Sequence, residues 1–160
     1  MTSEAGTDHA ALQAAEDARK AIATSYLKSL DAGGVSPTTG LGLFDHFADD
    51  AEVYFPKWGI ARGKEEIIRM FSDVGGTLKG ITHQYDTLTW YMTGTSRFAV
   101  EGTSRGEHRD GPWQADEPAW GAGRWCDCFE VVDGRIRRLY IYLDPDYASK
   151  DTARYPWIGN

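Results

Sequence analysis

The side chains best able to do chemistry gather around one short run. Trp125-Cys126-Asp127-Cys128-Phe129 holds both cysteines of the chain, with an aspartate between them. In extended backbone, successive side chains alternate faces. Trp125, Asp127 and Phe129 then share one face, and Arg124, Cys126, Cys128 and Glu130 share the other. The two thiols lie roughly 7 Å apart by strand rise, near or beyond the reach of an unstrained disulfide. A structural zinc site needs about four ligands at close spacing, and no second cysteine pair exists. The cysteines therefore read as small apolar residues, and Asp127 becomes the group to explain. If its face is interior, the carboxyl is costly unless paired or protonated. Desolvation would raise its pKa toward the range useful to a general acid or base. The bland alternatives are a position near an open pocket mouth, or a structural hold on an arginine.

Four histidines add to this set. His9 falls in a polar start. His46, beside Asp45, reads as a partly exposed helix residue. His83 opens the first long strand, either as a proton shuttle, since imidazole titrates near neutrality, or as a core histidine bonded to a carbonyl. His108 begins a Trp-rich stretch and reaches either the pocket mouth or solvent. His83, His108 and Asp127 could form a facial metal site, but no short-range His/Asp motif supports one. The reading assigns no metal and no cofactor. Tyr54 offers a phenol to a carbonyl or hydroxyl. Trp58, Trp113, Trp120 and Trp125 could stack on a flat hydrophobic ligand. Alternatively they cover an open end or form a subunit contact in a homodimer, since Trp is enriched at interfaces.

The elements that must position these groups follow from periodicity. Residues 1–9 read as frayed. Over 10–30, apolar positions at Leu12, Ala15, Ile22, Tyr26 and Leu30 make a helical stripe. "SPTTGLGLFDHFADD" predicts a second helix, with Ser36 as N-cap, Pro37 at the first position, and Leu41, Phe44 and Phe47 on one face. "AEVYFP" is a strand stopped by Pro56. "RGKEEIIRMFSDVGG" is a third helix that buries Ile67, Met70, Phe71 and Val74 and closes on Gly75–Gly76. Beyond it lie runs rich in β-branched and aromatic residues: "ITHQYDTLTWYM", "RFAVEGTSRGEH", "GRWCDCFEVV" and "RIRRLYIYL". Asp133-Gly134 between the last two is a strong hairpin signal. The stretch 109–120 is long for a hairpin connection and reads as a lid. Helices followed by an antiparallel meander imply an α+β fold in one domain spanning 1–160. The aromatic tail 146–160, with Tyr147, Tyr155, Trp157 and Ile158, should pack on the body.

Composition narrows the function classes. Hydrophobic residues make up 41% and charged residues 26%, as in a soluble globular domain. A net charge of −7 argues against nucleic-acid binding. No apolar run is long enough for a membrane span, and the start lacks a signal-peptide pattern. A cytoplasmic location is the expectation, and there thiols stay reduced. Nucleotide loops, nucleophile elbows and HExxH motifs are missing.

The order of an Ala-rich helix, "LFDHFADDAEVYFP", "ARGKEEI", a His-containing strand and "CFEVVDGRIRRLYIYLDP" resembles the SnoaL-like branch of the nuclear transport factor 2-like superfamily, over roughly residues 10–147. The resemblance implies a cone in which three N-terminal helices pack on a strongly bent, mainly antiparallel sheet around an apolar pocket. It also implies that Phe129 points inward, and Asp127 and Trp125 with it. His83 stands where such relatives often place a pocket histidine. The epoxide-hydrolase relatives carry a catalytic aspartate where this chain reads Ile141, and an arginine and an aspartate where it reads Gly102 and Ser104. Both departures argue against that chemistry. Asp144 reads as a turn cap before Pro145.

Two function classes stay open at this point. One is a cofactor-free enzyme acting on a polycyclic or terpenoid-like hydrophobic molecule. Asp127 and His83 would transfer protons and Tyr54 would polarise an oxygen, in an isomerisation, cyclisation or dehydration. The other is a binding or interaction domain that uses the cone without chemistry.

Overall fold

The computed structural model describes residues 4–115, 123–151 and 154, with side chains from residue 8 onward. Helix α1 runs Glu4–Asp31 and α2 runs Gly63–Gly75. Seven strands follow one another as β1 (Phe47–Phe55), β2 (Gly59–Arg62), β3 (Leu78–Thr93), β4 (Arg97–His108), β5 (Gly111–Gln114), β6 (Arg124–Val132) and β7 (Arg135–Leu143). They form one sheet in the order β2-β1-β7-β6-β4-β3, with β5 added beside β4. Only β1 and β7 run parallel among these described pairs. The α+β architecture and the mainly antiparallel sheet match the expectation.

The helix count does not: the described residues form two α-helices, and the segment read as a second one is a loop ending in a single 3-10 turn, Leu43–His46. Gly40 adopts φ 73°, Gly42 is extended, and Val35 pairs with Gly42 across the loop. Gly40, in the left-handed region, breaks a pattern that apolar spacing alone suggested. Ser36 caps no helix, and Leu41 is exposed. Strand β1 then starts at Phe47, four residues before the expected strand. The helical start is also longer than expected, because α1 is already formed at Glu4, although Leu12 and Ala15 lie outside the core.

Elsewhere the local chemistry determines the elements. Helix α2 buries Ile67, Met70, Phe71 and Val74, the apolar face of its sequence. The β6–β7 turn uses Asp133 at φ 50° and Gly134 at φ 73°, the left-handed pair of a tight hairpin. The region read as a lid begins as β5, paired with β4 from Arg105–Gln114 to His108–Gly111. Residues 116–122, including Trp120, lie outside the described residues, as do Tyr155, Trp157 and Ile158. Tyr147 of the tail packs against Trp113 with ring centroids 4.5 Å apart. Asp144 accepts a hydrogen bond from the Asp146 backbone at 2.9 Å, the turn-capping role expected of it. No described helix is long and apolar enough to cross a membrane.

Both helices lie against the inner face of the sheet. That face supplies Val53, Phe55, Phe98, Val100, Phe129, Val131, Ile136 and Leu139 to the core, and α1 supplies Ala23, Tyr26 and Leu27.

Candidate active site

Between α1, α2 and the sheet lies a cavity of about 450 Å³. Most of its wall is apolar, from Leu27, Leu30, Phe55, Phe71, Val74, Ile141 and Leu143. Six residues of the lining carry a titratable or hydroxyl group: Tyr26, Asp45, His83, Ser104, Asp127 and Tyr147. Asp45 stands with Gly42, Leu43 and Phe44 along another part of the lining. No lysine or arginine lines it among the described residues.

Strand parity delivers Asp127 to this cavity. Strand β6 alternates between buried Trp125, Asp127, Phe129 and Val131 and half-exposed Cys126, Cys128 and Glu130. The cross-strand partners of Asp127 are Val100 on β4 and Ile141 on β7, so aliphatic side chains flank the carboxyl on the same face. Trp125 and Phe129 flank it along the strand. Only 4% of Asp127 is exposed, and burial pushes its pKa up to about 8. Charging a carboxylate in such surroundings forfeits its hydration without a compensating partner. At neutral pH, Asp127 is therefore mostly a neutral acid and a hydrogen-bond donor.

Tyr26 and Tyr147 reinforce that character. Burial, and then the charge Asp127 would carry, hold both phenols well above the usual tyrosine range. Both keep their protons. Tyr26 is fixed by edge-to-face contacts with Phe47 at 5.6 Å and Phe129 at 6.0 Å.

His83 is the complementary group. It is buried on β3, and its Nδ1 lies 2.6 Å from Asp31 Oδ1, at the last residue of α1. The His83 backbone N–H also donates to both oxygens of that carboxylate at 3.2 Å. A carboxylate only accepts hydrogen bonds, so the imidazole carries a proton on Nδ1. Nε2 is then the nitrogen free to take one. Trp125 stands edge-on to the ring at 5.3 Å. The Trp125 indole N–H is itself buried without a partner among the described residues. Gly102 makes room for this indole: a Cβ there would come within 2.7 Å of Trp125 Cζ2 and 2.8 Å of Leu88 Cδ2.

The structure thus brings His83, Asp127 and Trp125 to one cavity. It does not bring Tyr54 there. On β1, Val53 and Phe55 point inward, while Tyr54 faces the other way and packs against Tyr140 and Tyr142 at 5.6 and 5.8 Å. Phe129 is in the core behind the cavity, stacked on Phe98 at 5.1 Å. Trp58 is 38% exposed and packs edge-on to Phe55. Trp113 is buried in a separate cluster, where its indole donates to Ser104 Oγ at 3.3 Å. His108 pairs with Asp110 at 3.3 Å and stacks on Tyr147, while His83 is engaged with Asp31. No group of three His, Cys, Asp or Glu is placed to hold a metal among the described residues. The cysteines are free and lie on the outer face, as parity required. Burial, then the neighbouring Cys128, push the Cys126 thiol up to about 11.

Sequence reasoning missed two members of the site, Tyr26 and Asp31. Tyr26 sat unremarked in the apolar stripe of α1. Asp31 ends α1, and a carboxylate at a helix C-terminus opposes the helix dipole, a conflict that is the signal available for it in the sequence.

A family model described as the SnoaL-like domain matches residues 26–139. No curated protein matches the sequence. Among solved structures, an NTF2-like protein from Anabaena variabilis ATCC 29413 is 18% identical with a TM-score of 0.61, covering 82% of this chain and 92% of its own. A putative polyketide cyclase from Xanthomonas campestris pv. campestris is 12% identical with a TM-score of 0.61, covering 81% of this chain and 93% of its own. An LEH-like epoxide hydrolase from M. tuberculosis is 18% identical with a TM-score of 0.57, covering 86% of this chain and 91% of its own. At such identities the likeness is one of fold. The family match spans the elements that carry Tyr26, His83 and Asp127, and the chain belongs to the SnoaL-like domain family.

Proposed function

We propose that the chain is a cofactor-free enzyme that moves a proton on a neutral, oxygen-bearing hydrophobic molecule. The observation that carries this reading is the opposition of two buried groups on one cavity. Asp127 holds its proton up to about pH 8, while His83 has Nδ1 committed to Asp31. A neutral acid, and an imidazole with one nitrogen left to take a proton, are the requirement for proton transfer near neutrality.

In this mechanism His83 Nε2 removes a proton from the bound molecule. The substrate oxygen that gains charge accepts hydrogen bonds from the Asp127 carboxyl and the Tyr26 phenol, in surroundings too dry to screen them. Tyr26 takes the oxygen-polarising role that the sequence suggested for Tyr54. The proton then returns at another atom, or leaves with a hydroxyl, so isomerisation, cyclisation and dehydration share the same apparatus. A cavity without a lining cation, holding an acid that resists ionisation, suits an uncharged ketone, quinone or phenol better than a carboxylate or phosphate. Neighbours of the same fold named as a putative polyketide cyclase and an epoxide hydrolase act as context only. The hydrolase positions identified by resemblance hold Ile141, Gly102 and Ser104 here. Gly102 is a packing requirement of Trp125, and the Ser104 hydroxyl accepts the Trp113 indole N–H.

The test starts from the small molecule retained through purification, identified by native mass spectrometry. Incubated with the protein in D2O, that molecule should gain deuterium at carbon, with a rate that falls as pH rises through about 8. Asp127→Asn and His83→Gln should each slow exchange by about two orders of magnitude or more, the usual scale for losing an acid or base. A retained molecule that binds tightly yet exchanges no faster than in buffer would leave the domain as a binding protein.

A further inference from the structure

We infer that Tyr85 is a positioning residue that sets the proton affinity of the Asp31–His83 pair from outside the cavity; the inference rests on the proposed acid–base reading of His83. Tyr85 follows His83 by two residues on β3, so both side chains leave the same face of the strand. The Tyr85 ring does not line the cavity. It lies in an outer groove between α1 and β3, beside Lys20, Lys28 and Trp90. Its hydroxyl passes inward and donates to Asp31 Oδ2 at 2.8 Å. The other oxygen of that carboxylate receives His83 Nδ1 at 2.6 Å. Burial and the Asp31 carboxylate hold the phenol far above the ordinary tyrosine range, so it remains a donor throughout the working pH.

The consequence is a competition for one negative charge. A carboxylate that already accepts a phenolic proton has less charge to offer an imidazolium. Tyr85 therefore competes with His83 for the charge of Asp31, while the backbone and ring N–H groups of His83 hold the imidazole in place. The other charged or titratable groups around the pair are few. On α1, Lys28 sits 5.6 Å from the Tyr85 ring centre, and Tyr26 faces the cavity. From β6 comes Asp127, from the tail Tyr147, and from the loop Asp45. Strand β4 contributes only the Ser104 hydroxyl opposite His83. Among these, Tyr85 alone donates a side-chain hydrogen bond to Asp31 besides His83.

The test reads the ring nitrogens of His83 by NMR in protein labelled with 15N-histidine, without substrate. Tyr85→Phe should raise the titration midpoint of His83 by about half to one pH unit, a fraction of a charged hydrogen bond, and keep the proton on Nδ1. Asp31→Asn, the control for the charge of the pair, should lower the midpoint. Placing 3-fluorotyrosine at position 85, a stronger donor of nearly the same shape, should move the midpoint down. In deuterium exchange, the acidic limb of the wild-type pH–rate profile should shift upward with Tyr85→Phe by the same interval. A His83 that titrates identically in wild type, Tyr85→Phe and the fluorinated protein would overturn the inference. The expected NMR shift with no catalysed exchange would instead uphold Tyr85 and sink the enzymatic reading.

Discussion

At the scale of the residue, Asp127 ties stability to function. Its carboxyl ionises near 3.8 in an exposed setting and near 8 when folded. Between these values the folded state holds a proton that the unfolded state has lost. Stability must therefore fall as pH rises through that window, by up to about 1.4 kcal/mol per pH unit, and level off above about 8. Asp127→Asn, which carries no charge in either state, should unfold later than wild type at pH 8 and similarly at pH 4. Urea unfolding at the two pH values checks this, and a wild-type protein more stable than the variant at pH 8 would contradict it. Asp127 was legible in the sequence because alternation along a strand carries it inward once the family resemblance places Phe129 inward, and His83 was legible through the resemblance alone. Tyr26 and Asp31 were not, because a helix stripe reports burial without saying which hydroxyl or carboxylate reaches a cavity. Tyr54 failed for a related reason. Its strand begins at Phe47 with Val53 and Phe55 inward, and the apolar count of a five-residue run does not disclose which parity faces the core.

At the scale of the element, a buried polar cluster fixes the loop after α1. Ser25 Oγ lies 2.7 Å from His46 Nε2, 2.7 Å from Thr39 Oγ1 and 3.0 Å from Ser36 Oγ. His46 Nδ1 lies 3.0 Å from the Gly42 carbonyl and 3.2 Å from that of Leu43. His46 Nδ1 donates to these carbonyls, and its Nε2 meets Ser25 Oγ, whose proton goes to Ser36 Oγ. The cluster pins the loop to α1 where Gly42, Leu43 and Asp45 line the cavity. Ser25→Ala strands a buried imidazole nitrogen and should cost about 1–3 kcal/mol in denaturant unfolding. A change under about 0.5 kcal/mol would mean that the loop is held by its apolar contacts alone. This loop was not legible beforehand, because "SPTTGLGLFDHF" carries helix-start chemistry and helical apolar spacing together. Its glycines outweigh both, and His46, read as a partly exposed helix residue, is 2% exposed.

At the scale of the whole molecule, a curled sheet with both helices on one face encloses a volume that side chains do not fill. The inner face carries the acid, the base and the phenols, and the outer face carries the cysteines and the Tyr54–Tyr140–Tyr142 stack. The separation follows from period-two alternation along β1, β6 and β7, so one sheet serves both a dry interior and a wetter exterior. This interior keeps Asp127 protonated at neutral pH, because burial penalises its charged form. Infrared difference spectroscopy of wild type against Asp127→Asn measures it most directly, by following the carbonyl stretch of a protonated carboxyl as pH is raised. A band should be present at pH 6, absent from the variant, and lost with a midpoint near 8. A carboxyl at position 127 that is already ionised at pH 5 would contradict it.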